Sequence, residues 1–450
     1  MNVSVVGLGK IGSCLLACLA NKGFDVIGVD LNKEIVDKIN RKEAPFPESH
    51  LQEILDDNNI QATTNMMDIA DTDMAFIRVA TPSNPDGSFN SEYVETAVAE
   101  ICRVIPNDKE YYAIVNTSTV MPGTMKEIIE PLVEQVSNRK IGKNIGLCYM
   151  PDFVALGSVI QDLLNPDVII IGESDKKVGD VLSYVVGKLM ASPTCKTKIH
   201  RMNFYNAETA KLATNNYLSM KISFTNTITE YCENIPDGDA QKVLDAVGDD
   251  SRIGKKFMKP GLGAGGFCFP RDQRAFVKSA IAKGIMPRLH HAVDKVNDCV
   301  DKRISVKLKR MMEKEKTNKI AILGITYKPD TPYTKESTVL KIIENLATDS
   351  EIDISVYDPS LTIKGTTTLN VNDEIGFYEI GFFEEVEECL KNAEIVFIGT
   401  PWKEFKNIDK KLFKNKTVID SFGILKKLEN ESDMNYIRIG TDKFNVEISD

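Results

Sequence analysis

Two Rossmann-like, doubly wound α/β domains joined by a central helical domain with a long helix are what this 450-residue sequence predicts. Three observations carry the prediction. The chain opens on an apolar run, a glycine turn and a helical pattern; a second strand–glycine opening stands at 318–324; and residues 200–305 between them hold almost no strand signal. Apolar runs alternating with helical segments ask for a parallel sheet with helices on its faces.

Val3-Ser4-Val5-Val6 is the first strand, Gly7-Leu8-Gly9-Lys10-Ile11-Gly12 the turn, and 13–20 a helix closed by Lys22-Gly23. A second strand at 25–29 ends in Asp30, and strands follow at 74–79, 112–116 and 168–171, giving a first domain over 1–195. Residues 206–231 contain neither proline nor glycine and space their apolar residues as a helix does; with helices at 239–247 and 292–312 they make a helical domain over 196–312. Such a connector commonly provides a surface for subunit association, so a homodimer is expected, a plain connecting bundle being the alternative. The third domain, 313–450, has strands at 353–357, 395–399 and 417–419. Its turn, Gly324-Ile325-Thr326-Tyr327-Lys328-Pro329, lacks the second and third glycines, so it is expected to bind something other than a dinucleotide.

The first turn follows a strand, opens a helix, and has an acid 18 residues after Gly12. Gly7 permits the tight turn, Gly9 lets backbone reach a pyrophosphate, Gly12 lets helix and strand pack, and the helix N-terminus favours negative charge. Ile11 lies within the same turn. Asp30 is expected to accept hydrogen bonds from the adenosine ribose; capping a helix that starts near Asn32 is its other reading. A carboxylate there repels a 2′-phosphate, so NAD rather than NADP is the expected cofactor.

Hydrophobic residues make up 42% and charged residues 27% of the chain, and no apolar run approaches the roughly 18 residues of a membrane helix. The start lacks a basic segment followed by a long apolar one, so no signal peptide and a cytoplasmic location are expected. Nine scattered cysteines without CxxC spacing argue against a disulfide framework or a zinc ribbon. Four histidines, His50, His200, His290 and His291, offer little for a metal site, and none is predicted. A net charge of −10 gives no broad basic face, so nucleic acid is not an expected partner.

One segment singles out a thiol. In Lys259-Pro260-Gly261-Leu262-Gly263-Ala264-Gly265-Gly266-Phe267-Cys268-Phe269-Pro270-Arg271-Asp272, four glycines allow close backbone approach to a ligand, and Cys268 is presented with an acid four residues on. This reads as a nucleophile on a phosphate- or sugar-binding loop; a buried structural cysteine is the bland reading. Lys211 and Asn215, four apart on the long helix, share a face and can converge on one oxygen.

With the dinucleotide turn at one end and Gly265-Gly266-Phe267-Cys268-Phe269-Pro270-Arg271-Asp272 near the middle, the chain resembles the nucleotide-sugar 6-dehydrogenases of the UDP-glucose/GDP-mannose dehydrogenase family over nearly its whole length. The likeness also takes in Val79-Ala80-Thr81-Pro82, Ser118-Thr119-Val120, Pro151-Asp152-Phe153, Ala207-Glu208-Thr209-Ala210-Lys211 with Asn215, Arg252-Ile253-Gly254, and Tyr327-Lys328-Pro329 with Glu336-Ser337.

The resemblance implies that a sugar CH2OH is oxidised twice, with two NAD consumed, through an aldehyde captured by Cys268 and a thioester that water then cleaves. It implies that Lys211 and Asn215 stabilise charge on the reacting oxygen, that Asp272 organises a water or activates the thiol, and that Thr119 and Asp152 help place water. By the same resemblance Thr81, Thr119, Arg271 and Lys335 approach the cofactor. Asp152, Phe153, Val154, Lys211, Asn215, Arg252, Lys259, Gly263 and Lys328 approach the nucleotide sugar, with Arg252 reaching a neighbouring subunit. UDP-glucose leads as substrate, ahead of UDP-HexNAc and GDP-mannose.

Seven positions depart from the family pattern. Asp152 stands where a glutamate is usual, and Leu156 replaces a second glutamate, which leaves Asp152 and Thr119 to place water. Phe422 replaces an arginine that contacts substrate. Ala264 and Phe267 replace the usual Phe and Ser beside the cysteine, and Arg271 and Lys335 exchange lysine for arginine and arginine for lysine. Two other readings stay open: a β-hydroxyacid-type dehydrogenase that performs one oxidation, and a regulator that binds NAD or a nucleotide sugar without turnover.

Overall fold

The computed structural model describes residues 1–190, 196–361, 365–367, 370–371, 374–375 and 380–445; the domain boundary expected at 195 falls outside them. The chain divides into two compact units, Met1–Thr214 with Arg274–Gly284, and Asn215–Gln273 with Ile285–Asp450.

The first unit is built on eight strands: β1 (Asn2–Val6), β2 (Asp25–Val29), β3 (Gln61–Thr63), β4 (Met74–Ile77), β5 (Tyr112–Asn116), β6 (Ile145–Tyr149), β7 (Val168–Glu173) and β8 (Lys198–Met202), in the order β3-β2-β1-β4-β5-β6-β7-β8. Helices α1 (Lys10–Asn21), α2 (Lys33–Asn40), α3 (Leu51–Asp57), α4 (Glu92–Val104), α5 (Glu130–Ser137), α6 (Val159–Leu164) and α7 (Lys176–Leu189) cover both faces. Leu15 and Leu19 of α1 and Leu182 and Val185 of α7 pack with Val3, Val5 and Val115 on one face. Val94, Val98 and Ile101 of α4 pack with Val6, Ile77 and Ile114 on the other. Buried on both sides, these strands read as continuous apolar runs. One pairing departs from an all-parallel sheet: β7 runs antiparallel to β6.

Four further helices follow: α8 (Phe204–Glu233), α9 (Ala240–Asp249), α10 (Phe269–Ala282) and α11 (Arg288–Glu315). Without proline or glycine, α8 runs unbroken for 30 residues, and Asp239 caps α9 by accepting from the Gln241 and Lys242 N–H groups.

The second unit carries a seven-stranded sheet of β9 (Lys319–Leu323), β10 (Asp353–Tyr357), β11 (Gly365–Thr367), β14 (Ile380–Phe382), β15 (Ile395–Ile398), β16 (Thr417–Asp420) and β17 (Asn435–Arg438), and apart from it the pair β12 (Asn370–Val371) and β13 (Glu374–Ile375). The seven run in the order β11-β14-β10-β9-β15-β16-β17. Helices α12 (Thr338–Ala347) and α13 (Val386–Leu390) complete it. Ile304 and Leu308 of α11 with Ile342 and Ile343 of α12 cover one face, through Ile320 and Ile322; Phe405 and Phe413 pack with Leu323 and Ile398 on the other. Among the described residues no helix is long and apolar enough to cross a membrane.

Candidate active site

In the first unit, β1 and β4 are neighbours at the point where strand order reverses, and the turn Gly7-Leu8-Gly9 opens at their carboxyl ends. Gly7 has φ +93°, and a Cβ on it would stand 2.4 Å from the Arg78 carbonyl oxygen. A Cβ on Gly12 would stand 1.9 Å from the Gly7 oxygen, so helix and turn touch through bare backbone. At Gly9 the added carbon would meet nothing within 4 Å, and Gly9 is the N-cap of α1 with no side chain on its N–H groups. Open space beside uncapped helical donors fits a pyrophosphate.

Asp30, just past β2, accepts the Leu8 N–H at 2.6 Å through one carboxylate oxygen and the Asn32 N–H at 2.8 Å through the other. The cap of α2 is Asn32, whose side chain accepts from Glu34. Asp30 therefore braces the turn, with lone pairs left for ribose hydroxyls. Thr81 and Thr119, both buried, follow β4 and β5 at the same sheet edge; Ser118 ties their loops, accepting the Val79 N–H at 3.0 Å and donating to the Val79 carbonyl at 2.7 Å.

After β6, Asp152 lies 2.9 Å from the Arg78 guanidinium. Burial raises the Asp152 carboxyl above the ordinary aspartate range, against the opposing pull of Arg78 and Lys211. Lys211, buried on α8, donates to the Asp152 carbonyl oxygen and sits 4.6 Å from the Phe153 ring centroid. Val154 and Leu156 pack against the core beside α1.

In the second unit Cys268 is exposed, as is Cys299, while Cys14, Cys18, Cys102 and Cys148 of the first unit and Cys389 of the second are buried; burial pushes Cys18 and Cys102 up to about 12. Cys268 immediately precedes α10, and its carbonyl accepts the Asp272 N–H at 2.8 Å. Asp272 is fully buried; it accepts from the Asn215 amide at 2.6 Å and from Arg271 at 3.0 Å. The acid thus orients the asparagine.

The glycine loop ahead of Cys268 borders a cavity of about 380 Å³ at the carboxyl ends of β9, β15 and β16, again where strand order reverses. Lys255, Lys256 and Lys259 bring positive charge to it, Phe257, Tyr327 and Phe422 bring aromatic walls, and Gly263 lines it. Ser337, Thr338 and Val339 also line it at the start of α12, whose N-cap Ser337 makes no side-chain cap. Three lysines and an uncapped helix N-terminus suit a diphosphate. Asn297 holds the loop by accepting the Ala264 N–H at 2.6 Å and donating to the Ala264 carbonyl at 3.1 Å.

Three further candidates complete the set. Arg252 is exposed and pairs with Asp250 at 2.6 Å. Lys328 lies 6.0 Å from the Tyr327 ring centroid, and the Lys335 carbonyl accepts the Gly266 N–H at 3.1 Å. Arg78, Glu208, Lys255 and Lys256 were not singled out from sequence. For Arg78 a signal existed, a cation closing the apolar strand Met-Ala-Phe-Ile; the Lys255-Lys256 doublet looks like any solvated loop.

A glycine turn of this shape at the switch point of a doubly wound sheet, with an acid at the end of the next strand, defines a dinucleotide-binding protein. The NAD binding domain of the UDP-glucose/GDP-mannose dehydrogenase family matches residues 1–189, its central domain 205–299 and its UDP binding domain 321–427. UDP-glucose 6-dehydrogenase AglM of Haloferax volcanii is 31% identical over 95% of this chain and 98% of its own. GDP-mannose 6-dehydrogenase of Pseudomonas savastanoi pv. phaseolicola is 28% identical over 96% and 98%. The UDP-glucose dehydrogenase structure from Pyrobaculum islandicum is 28% identical with a TM-score of 0.82, covering 98% of both chains. This chain belongs to the UDP-glucose/GDP-mannose dehydrogenase family, and it is an NAD-dependent nucleotide-sugar dehydrogenase.

Proposed function

We propose that the protein oxidises the C6 alcohol of a nucleotide sugar to the carboxylate in two steps, with UDP-glucose to UDP-glucuronate as the leading reaction. The observation that carries this reading is the exposed thiol of Cys268 at the start of α10, one turn before the buried Asp272 that holds Asn215. NAD, when bound, takes up the hydride, one equivalent for each oxidation. Loss of a hydride and the hydroxyl proton from CH2OH leaves the aldehyde. The Cys268 sulfur then adds to that carbon while a proton goes to the carbonyl oxygen, giving a thiohemiacetal. Loss of a second hydride and proton gives a thioester; water breaks its C–S bond, restores the thiol and releases the carboxylate and a proton. Lys211 and Asn215 stabilise negative charge on the reacting oxygen, a contribution of a few kcal/mol per donor in a dry site. Asp272 keeps Asn215 in position, and Thr119 and Asp152 place the hydrolytic water.

Lys255, Lys256 and Lys259 fit the diphosphate, and Phe257, Tyr327 and Phe422 the base or sugar. We assign residues 1–195 to NAD, 196–312 to catalysis and subunit association, and 313–450 to the nucleotide. Tyr217, Phe224 and Tyr231 recur every seven residues on α8 and are 56%, 48% and 64% exposed, which makes that stripe the proposed homodimer contact. The proposed location is the cytoplasm.

A panel of UDP-glucose, UDP-HexNAc sugars and GDP-mannose, assayed for NADH formed per sugar, tests this. Two NADH from one member, and loss of the second in Cys268→Ser, are expected. One NADH with no effect of Cys268→Ser would replace it with a single-step dehydrogenase, and tight binding without turnover on any member with a regulator.

A further inference from the structure

We infer that Glu208 is a positioning residue for hydride transfer: its carboxylate locks the loop that carries Thr119 to the helix that carries Lys211. Glu208 is fully buried on α8. One of its oxygens accepts the Gly123 N–H at 2.6 Å and the other the Met125 N–H at 2.8 Å. Gly123, at φ +108°, is the N-cap of a six-residue π-helix, Thr124–Ile129, and supplies no side-chain cap. Two N–H groups at a buried helix start therefore depend on an acid from another element.

The loop ahead of that π-helix has a second anchor. The Thr117 hydroxyl donates to the Ile77 carbonyl at 3.0 Å, the Ser118 N–H donates to the Asn116 side chain at 3.0 Å, and Ser118 joins Val79 as described. Thr119 lies between this sheet-side anchor and the Glu208 anchor. Glu208 precedes Lys211 by three residues, so both occupy neighbouring positions on one helical face. Lys211 in turn meets the Asp152 carbonyl and the Phe153 ring. One carboxylate thereby fixes the spacing between the loop after β5 and the segment of α8 facing the loop after β6. Burial alone would be met by an apolar residue; two short bonds to the first turn of a rare helix type are a directional device.

The inference rests on Thr119 serving the cofactor and Lys211 the reacting oxygen. Glu208→Gln keeps the volume but replaces one acceptor with a donor, so one N–H loses its partner. We expect about a tenfold rise in KM for NAD and about a tenfold fall in kcat, with UDP affinity by calorimetry within about twofold of wild type. Glu208→Asp keeps both acceptors and should recover part of the loss. If kcat and KM for NAD stay at wild-type values while only thermal stability falls, or if UDP affinity falls as far as NAD affinity, the carboxylate is merely structural and the inference is overturned. Should Glu208→Gln not fold, Glu208→Asp is read by the same criteria. Thr119→Ala and Lys211→Ala run alongside: if they lose turnover and the Glu208 variants do not, only the inference fails. If they too are silent, the underlying assignment fails with it.

Discussion

The Gly9→Ala and Gly12→Ala pair separates a glycine kept for a ligand from one kept for packing. At Gly12 the added carbon would lie 1.9 Å from the Gly7 oxygen and 3.5 Å from the Arg78 Cβ. Relieving that to even about 3 Å requires moving the turn or α1 by roughly 1 Å, in a region where overpacking costs about 1–3 kcal/mol or more. At Gly9 the carbon meets nothing within 4 Å, and φ is −64°, open to any residue. Only the modest preference of an N-cap for glycine over alanine is lost, at most about 1 kcal/mol. Gly9→Ala should therefore melt close to wild type without cofactor, yet bind NADH at least about tenfold more weakly, because its methyl fills the space beside the uncapped α1 donors. Saturating cofactor at about 100 times Kd adds about 2.7 kcal/mol to wild type; at the same concentration the variant should gain about 1.4 kcal/mol less. Thermal melts with and without NAD, together with NADH fluorescence titration, measure both quantities. Wild-type NADH affinity in Gly9→Ala would refute the pyrophosphate assignment, and wild-type stability in Gly12→Ala would refute the packing account.

Asp30→Ala removes the acceptor of the Leu8 N–H as well as the proposed ribose contact, so apo stability should fall by about 1–3 kcal/mol. NAD should weaken more than NADP, and an unchanged NAD:NADP preference sinks the ribose role. Burial pushes the Glu208 carboxyl up to about 7 from its ordinary 4.5, with Glu127 adding to the rise and the Gly123 and Met125 N–H groups opposing it. The folded state then holds this proton more tightly than the unfolded one. Stability from this group is full below about pH 4.5 and declines as pH rises towards 7, by at most roughly 3 kcal/mol; denaturant titrations should show the slope in wild type and not in Glu208→Gln. Asp152→Asn should slow thioester hydrolysis and leave acylated Cys268 visible by mass spectrometry; its absence at steady state counts against a water-placing role. Phe224→Glu should give monomers in sedimentation, and an intact dimer removes the α8 stripe as the contact.

What the sequence disclosed, and what it did not, follows from how far each signal reaches. Gly7 and Gly12 are legible because backbone geometry admits few other residues there, and Gly9 and Asp30 because they stand at fixed spacing from those two on consecutive elements. The unbroken α8 is legible for a like reason, the absence of Gly and Pro over 30 residues. Strand β6, Ile-Gly-Leu-Cys-Tyr, escapes because Gly146 and Cys148 interrupt the β-branched and aromatic run that marks its neighbours. Edge strand β8, Lys-Ile-His-Arg-Met, escapes because its polar residues imitate a loop. Glu208 was visible only as part of a motif, since its partners at 123 and 125 lie far off in sequence and meet it only once the loop after β5 is folded. Lys255 and Lys256 acquire meaning only from the cavity they border.

The loop after β6 shows how a shortened acid is accommodated. An aspartate where a glutamate is usual reaches less far from its backbone, and here its carboxylate ends against Arg78, 2.9 Å away, with only 6% of the side chain exposed. A buried carboxylate without a counterion would be driven neutral; with Arg78 beside it the rise set by burial is opposed but not abolished. A carboxyl raised above ordinary aspartate is a better proton acceptor near neutrality than an unshifted one, which supports the proposed water-placing role. The position of the missing second acid, Leu156, goes to the core beside α1. The loop's own N–H groups are met instead by Glu48, which accepts from Gly157 at 2.9 Å and Val159 at 3.0 Å. Glu48 and Asp162, which accepts the Ala155 N–H at 2.8 Å, thus hold the backbone of this loop, while Asp152, paired with Arg78, is the acid proposed to place water.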